Sequence, residues 1–169
     1  MAGRAVKAIG PAIAAYVVYI IFSGSVRPYD LITGAVVAVV TGSIVANLVV
    51  ARPEKLAQLG RLGWLIAYGF RYFFIDEVKA HLDVMARIVK PSMPINPGIV
   101  RVPYGVESDY AMTTIANSIT NTPGTVVVDI DDRRKIFYVH WIDVKVVEPE
   151  STRAEISEVF EKYSKKIFD

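Results

Sequence analysis

Residues 114–125 read Thr114-Ile115-Ala116-Asn117-Ser118-Ile119-Thr120-Asn121-Thr122-Pro123-Gly124-Thr125, the densest run of hydroxyls and amides in the chain. Such side chains could form a nest for a ligand. They could equally close on themselves, because Asn, Ser and Thr bond readily to nearby backbone and favour caps and turns. Pro123-Gly124 predicts a type II turn, with Pro fixing φ and Gly accepting positive φ. No nucleophile, base and carboxylate are spaced together here, and Ser118 with His140 further along is not a triad signal. His140 alone on an apolar strand reads as a hydrogen-bonded core residue or as a ligand or base. Asp129, Asp131, Asp132 and Asp143 would bind a metal only if they converged; otherwise they form a solvated turn. Arg71, Asp76, Glu77, Lys79 and His81 are a second group, readable as a proton path or as charges of a solvated or headgroup-facing helix. There is no Cys, which excludes disulfides, thiolate zinc sites and Cys-ligated clusters. No catalytic residue, cofactor-binding residue, metal ligand or cofactor is assigned.

These residues sit behind a membrane-type front. Of 169 residues, 53% are apolar, above the share usual for soluble domains. Net charge is +3 over residues 1–53, +2 over 54–90 and −3 over 91–169. Basic charge flanks the apolar part and the tail is mildly acidic, which points to a membrane and away from nucleic acid. Residues 8–26 and 31–51 carry no charge, and each is long enough to span about 30 Å of hydrocarbon. A second apolar run directly after the first argues for a retained span over a cleaved signal. The two predict a transmembrane helical hairpin over 1–53, with Arg27-Pro28-Tyr29-Asp30 as its polar turn. Gly34, Gly42 and Ser43 give the second span a small-residue face for close helix packing, the alternative being a lipid-facing span with incidental glycines. Arg4, Lys7, Arg52, Lys55 and Arg61 lie to one side and Arg27 alone to the other, which predicts cytoplasmic ends.

Pro53-Glu54 is a fitting start for a third helix, stopped by Pro91 and Pro94. Its first half is aromatic, with Trp64, Tyr68, Phe70, Tyr72, Phe73 and Phe74 beside Arg61 and Arg71. In its second half Phe74, Val78, Leu82, Met85 and Val89 form a stripe opposite Asp76, Lys79, Asp83, Arg87 and Lys90. Residues 54–94 thus form a long interfacial helix or a third membrane helix. Residues 95–169 read as a small cytoplasmic β-α-β-β-α domain. Strands are expected at 99–102, 125–130 and 135–142, with Ser108 capping one helix and Ser151 or Thr152 another. Apolar groups on both faces of the last strand predict burial on both sides, by helices or a partner. The fold class is an α+β membrane protein.

Ala116-Asn117-Ser118-Ile119-Thr120, Thr122-Pro123-Gly124-Thr125, Tyr138-Val139-His140 and the upstream Pro97-Gly98-Ile99-Val100 resemble the E-type component of Mrp- or Mnh-type sodium/proton antiporters. The apolar double span and aromatic helix extend the resemblance over nearly the whole chain. Asn121 departs from it, since an apolar residue, commonly Leu, is expected there. The resemblance implies a non-catalytic assembly subunit of a multi-subunit module for monovalent cation transport in the cell membrane. Its implied partners are the other antiporter subunits and the lipid bilayer, with no nucleic acid and no small-molecule substrate of its own. Related modules occur in archaeal membrane-bound hydrogenases and sulfane reductases. Two other classes stay open: a membrane anchor that recruits a soluble cytoplasmic partner, and a membrane enzyme using residues 117–125.

Overall fold

The computed structural model describes residues 2–50, 55 and 58–169, with side chains from residue 5 onward. The expected helix start at Pro53-Glu54 lies outside the described residues, as do the side chains of Arg4 and Arg52. Two compact units emerge, Met1–Leu59 and Gly60–Asp169.

The first unit is an antiparallel pair, α1 (Ala2–Ser23) and α2 (Pro28–Val49). Both are candidate spans, with mean hydropathies of 1.9 over Ala5–Ser23 and 2.0 over Pro28–Val49. The turn lies at 24–27, earlier than the sequence suggests. Pro28 enters the helix because its missing N–H is unsatisfied in a first turn anyway. Gly24 takes φ +61°, and the Ser25 hydroxyl donates to Asp30 Oδ2 at 2.5 Å. Gly34, Ala38, Gly42 and Ala46 recur every fourth residue and are the buried positions of α2. Ser43 sits off that stripe, exposed, with its hydroxyl donating to Val39 O at 2.7 Å. The outer surface is apolar: Ile13, Ile21, Phe22, Ile32, Ile44 and Leu48 are all exposed. In water each would forgo about 1.5–3 kcal/mol of burial, so hydrocarbon is the fitting solvent.

The second unit starts with one unbroken rod: α3 (Leu59–Arg71), a single π-helical turn (Tyr72–Asp76) and α4 (Glu77–Val89). There follow β1 (Gly98–Pro103), α5 (Asp109–Asn121), β2 (Thr125–Asp131), β3 (Ile136–Trp141), α6 (Pro149–Ile156) and α7 (Glu158–Phe168). The strands form an antiparallel sheet in the order β1-β3-β2, with a bulge in β2 between Val127 and Asp129. Val100, Val102, Phe137, Val139 and Trp141 are buried against Ile115, Ile119, Phe160 and Ile167. The expected second burial is not supplied by the described residues. On the other face Ile99 and Val126 are exposed in register with His140, because the covering helices lie on one side only.

Ser108 caps α5, accepting from Ala111 N at 3.3 Å. The last helix is two helices, broken at Ser157. Glu148, not Ser151 or Thr152, caps the first of them, accepting from Ser151 N at 2.8 Å. Thr152 is buried and donates instead to Arg101 O at 2.6 Å, fastening α6 to β1. The buried Glu161 carboxylate accepts from Gly105 N, Arg153 and Lys165 at 3.1, 2.9 and 2.7 Å. Burial pushes its pKa up, but Lys165 and Arg153 outweigh that and hold it below the usual carboxylate value.

Candidate functional site

Residues 114–125 form the last two turns of α5 and the turn into β2. Ile115 and Ile119 point into the core, which sets the helix phase and turns Ser118 towards the rod. Ser118 is buried; its hydroxyl donates to Thr114 O at 2.8 Å and meets the Tyr68 hydroxyl. The Tyr72 hydroxyl donates to Ser118 O at 3.4 Å. Thr122 Oγ1 donates to Ser118 O at 2.7 Å and lies 3.4 Å from Glu77 Oε1. Thr125 N donates to Thr122 O at 3.3 Å and Gly124 has φ +96°, as a type II turn over Pro123-Gly124 requires. Thr125 Oγ1 donates to Ile119 O at 2.7 Å, and Thr120 Oγ1 accepts from Val127 N at 3.3 Å. Ala116 and Pro123 are half-buried, while Asn117 and Asn121 face outward. The hydroxyls of Ser118, Thr120, Thr122 and Thr125 are therefore bonded within the protein, and three partners of the stretch, Tyr68, Tyr72 and Glu77, come from the rod.

The π turn makes this possible. Glu77 N bonds to Tyr72 O, five residues back, so one extra residue is accommodated without ending the helix. Tyr68 and Tyr72 enter the domain core, with Tyr68 stacked on Tyr163 at 5.5 Å and Tyr72 edge-on to Phe160 at 5.9 Å. Arg61 Nη1 donates to Ile167 O at 2.7 Å near one end of the rod. Arg87 pairs with Asp143 at 2.9 Å near the other. The Trp64, Tyr68, Tyr72 spacing is the sequence signal for this inner face.

The remaining candidates do not meet. His140 is exposed on the open face of the sheet, whereas Ser118 lies on the helix covering the opposite face. Arg71 and Asp76 pair at 3.3 Å, while His81 Nδ1 lies separately, 3.4 Å from Glu77 Oε2. Asp129 accepts from Ile130 N, Asp131 from Arg134 N and Asp132 from the Tyr104 hydroxyl. Burial, reinforced by Asp132, pushes the Tyr104 phenol up to about 12. Among the described residues no three His, Asp or Glu side chains are grouped to hold a metal ion. In the first unit, a Cβ on Gly42 would lie 2.7 Å from Ala12 Cβ and 2.8 Å from Ala8 O. One on Gly34 would lie 2.6 Å from the Tyr19 ring.

An apolar hairpin followed by a small α+β unit fastened to a long helix defines a mixed α/β membrane protein. The family described as Na+/H+ ion antiporter subunit (MNHE) matches residues 12–167, and the chain belongs to this MNHE family. It is 33% identical to the E-type component of the Na(+)/H(+) antiporter of Alkalihalophilus pseudofirmus over 128 residues, 76% of this chain and 78% of that one. It is 37% identical to the E1-type component of the Na(+)/H(+) antiporter of Staphylococcus haemolyticus over 78 residues, 46% of this chain and 49% of that one. A chain of the membrane-bound sulfane sulfur reductase, an archaeal respiratory membrane complex, matches with a TM-score of 0.81 and 31% identity, covering 96% of this chain and 99% of its own. The protein is thus a membrane protein of the ion-transport class, from a family of antiporter-complex subunits.

Proposed function

We propose that the chain is a non-catalytic structural and assembly component of a multi-subunit Mrp-type sodium/proton antiporter module. In this reading residues 1–53 anchor it as a hairpin, 54–94 form the rod and 95–169 form a cytoplasmic domain. The observation that carries the proposal is the use made of residues 114–125: the hydroxyls of Ser118, Thr122 and Thr125 bind the rod and the stretch's own backbone. A motif spent on holding two elements together serves architecture. The basic residues at the hairpin ends support a cytoplasmic tail. The likeness to a sulfane reductase chain supports a respiratory setting for the module. A second reading, an anchor for a soluble partner, draws on the uncovered sheet face with Ile99 and Val126.

Native gels of membranes lacking this chain, paired with antiport in vesicles, test the role. Loss of the full-size complex, with unchanged turnover per complex that does form, is expected. A full-size complex that has lost antiport would contradict a structural role.

A further inference from the structure

The rod is amphipathic in an unexpected sense. Where a surface helix ordinarily turns its apolar stripe to its own domain, here the domain covers the other side. In α4 no residue is buried, and Val78, Leu82, Met85 and Val89 are 48, 59, 57 and 79% exposed. Arg87, on the polar side, has a side chain only 12% exposed, held by Asp83, Asp143 and Pro94 O. In α3 the inner face is aromatic and filled, yet the outer face carries Ile66 and Phe70, both more than 60% exposed, and Phe73 and Phe74 continue it through the π turn. Between residues 62 and 75 the one charge is Arg71, which turns to Asp76 at 3.3 Å. A continuous apolar band this long is far more than a soluble surface leaves bare.

We infer that this band is a membrane-binding face, seated flat among the acyl chains of one leaflet. The inference deepens the proposed role and rests on its membrane anchoring. Three observations favour lipid as the occupant. The band follows α2 by only residues 50–58, so the chain delivers it to a membrane surface. It offers almost no hydrogen-bonding group, whereas protein interfaces carry about one hydrogen bond per 100–200 Å². Lys79 lies exposed on the same rod and Lys90 exposed just past its end, as in helices that rest at the headgroup level.

The domain's position on the rod excludes an upright third span. From Arg61 to Arg87 the rod runs about 40 Å at 1.5 Å per residue, longer than the roughly 30 Å hydrocarbon layer. Domain groups flank it at both ends: Lys166 lies 3.6 Å over the Trp64 ring and Asp143 pairs with Arg87. Upright insertion would drag α7, with Lys162, Lys165 and Lys166, into hydrocarbon, where an unpaired charge is strongly disfavoured. Lying flat keeps the domain in water and the band in lipid.

The absence of Cys makes site-directed spin labelling direct. Ile66→Cys, Phe73→Cys, Leu82→Cys and Met85→Cys, labelled in the full chain in liposomes with and without its complex, report depth from accessibility to oxygen and to a water-soluble nickel chelate. The expected result is high oxygen and low nickel accessibility at all four, at one common depth of about 5–10 Å below the headgroups. A depth that moves from one surface to the other along the rod overturns the inference. So does full nickel access, or occlusion from both reagents in the complex, which would mean that another protein covers the band. Depth in the isolated chain reads out even if assembly fails, so the two proposals fail separately. In a Trp64→Phe background, Phe74→Trp sets a reporter on the band itself, and brominated lipids should quench its emission while buried Trp141 stays unquenched. Emission at position 74 that brominated lipids leave unquenched counts against the flat placement.

Discussion

Tyr68 ties the rod to the domain, and its removal should release one from the other. The ring is buried between Tyr163, Phe160 and Tyr72, and its hydroxyl meets Ser118. Truncation of a buried aromatic to alanine costs about 3–5 kcal/mol. The hydroxyl contributes about 1 kcal/mol of that, since Ser118 keeps its bond to Thr114 O. At 1.4 kcal/mol per tenfold, Tyr68→Ala should raise the local opening equilibrium by at least about a hundredfold, and Tyr68→Phe by about fivefold. Amide hydrogen exchange on the full chain in nanodiscs reads this directly. Protection should fall in α7 and the second half of α5, which Tyr68 covers, while α1 and α2 stay unchanged. Unchanged exchange in α5 and α7 after Tyr68→Ala would refute the account of residues 114–125 as a fastening. Equal effects of Phe and Ala would show that the hydroxyl, not the ring, holds the seam.

Glu161→Gln should destabilise the domain by about 2–3 kcal/mol at neutral pH, below the usual value for a broken buried pair because Arg153 and Lys165 are themselves part-exposed. Because the native Glu161 pKa is lowered, its stabilisation is complete above the unfolded carboxylate pKa and is lost as pH falls through the native one. Thermal melts from pH 7 to pH 3 should therefore show a shallower acid limb in Glu161→Gln than in the wild type; identical limbs would mean that Glu161 titrates normally. Gly42→Ala should cost about 1–3 kcal/mol in the hairpin, because its Cβ meets the α1 backbone, and should speed exchange in α1 and α2. Gly63→Ala, where nothing lies within 4 Å, should instead stabilise the rod by about 0.5–1 kcal/mol. Ser108→Ala should remove about 1 kcal/mol and fray the first turn of α5, visible as faster exchange there alone.

Much of this architecture is written in local sequence. Uninterrupted apolar runs announce the two candidate spans, and alternation announces β3, because each signal depends only on neighbouring residues. The turn at Pro123-Gly124 is equally local. What the sequence withholds is which face another element covers. The stripe Phe74, Val78, Leu82, Met85 and Val89 has the spacing of a core face, yet Arg87 and Tyr72 are the residues turned to the domain. Periodicity identifies two faces without saying which meets protein. The π turn is invisible for a related reason: one extra residue leaves no mark in composition, yet it lets Tyr68, Tyr72 and Glu77 reach α5 together. His140 shows the same limit at a single residue. Its strand parity is readable, but not that the helices cover the opposite face. Ser157 breaks the last helix through tertiary packing, since it is buried and no helix-breaking residue marks the point.

The most direct test of the central claim is purification of the tagged full-length chain from its native membrane in a gentle detergent, with mass spectrometry of what stays bound. The account predicts several polytopic antiporter-type subunits in fixed proportion to this chain, joined by redox subunits if the parent complex is respiratory. Recovery of the chain alone, or with a single soluble protein on its open sheet face, would contradict it.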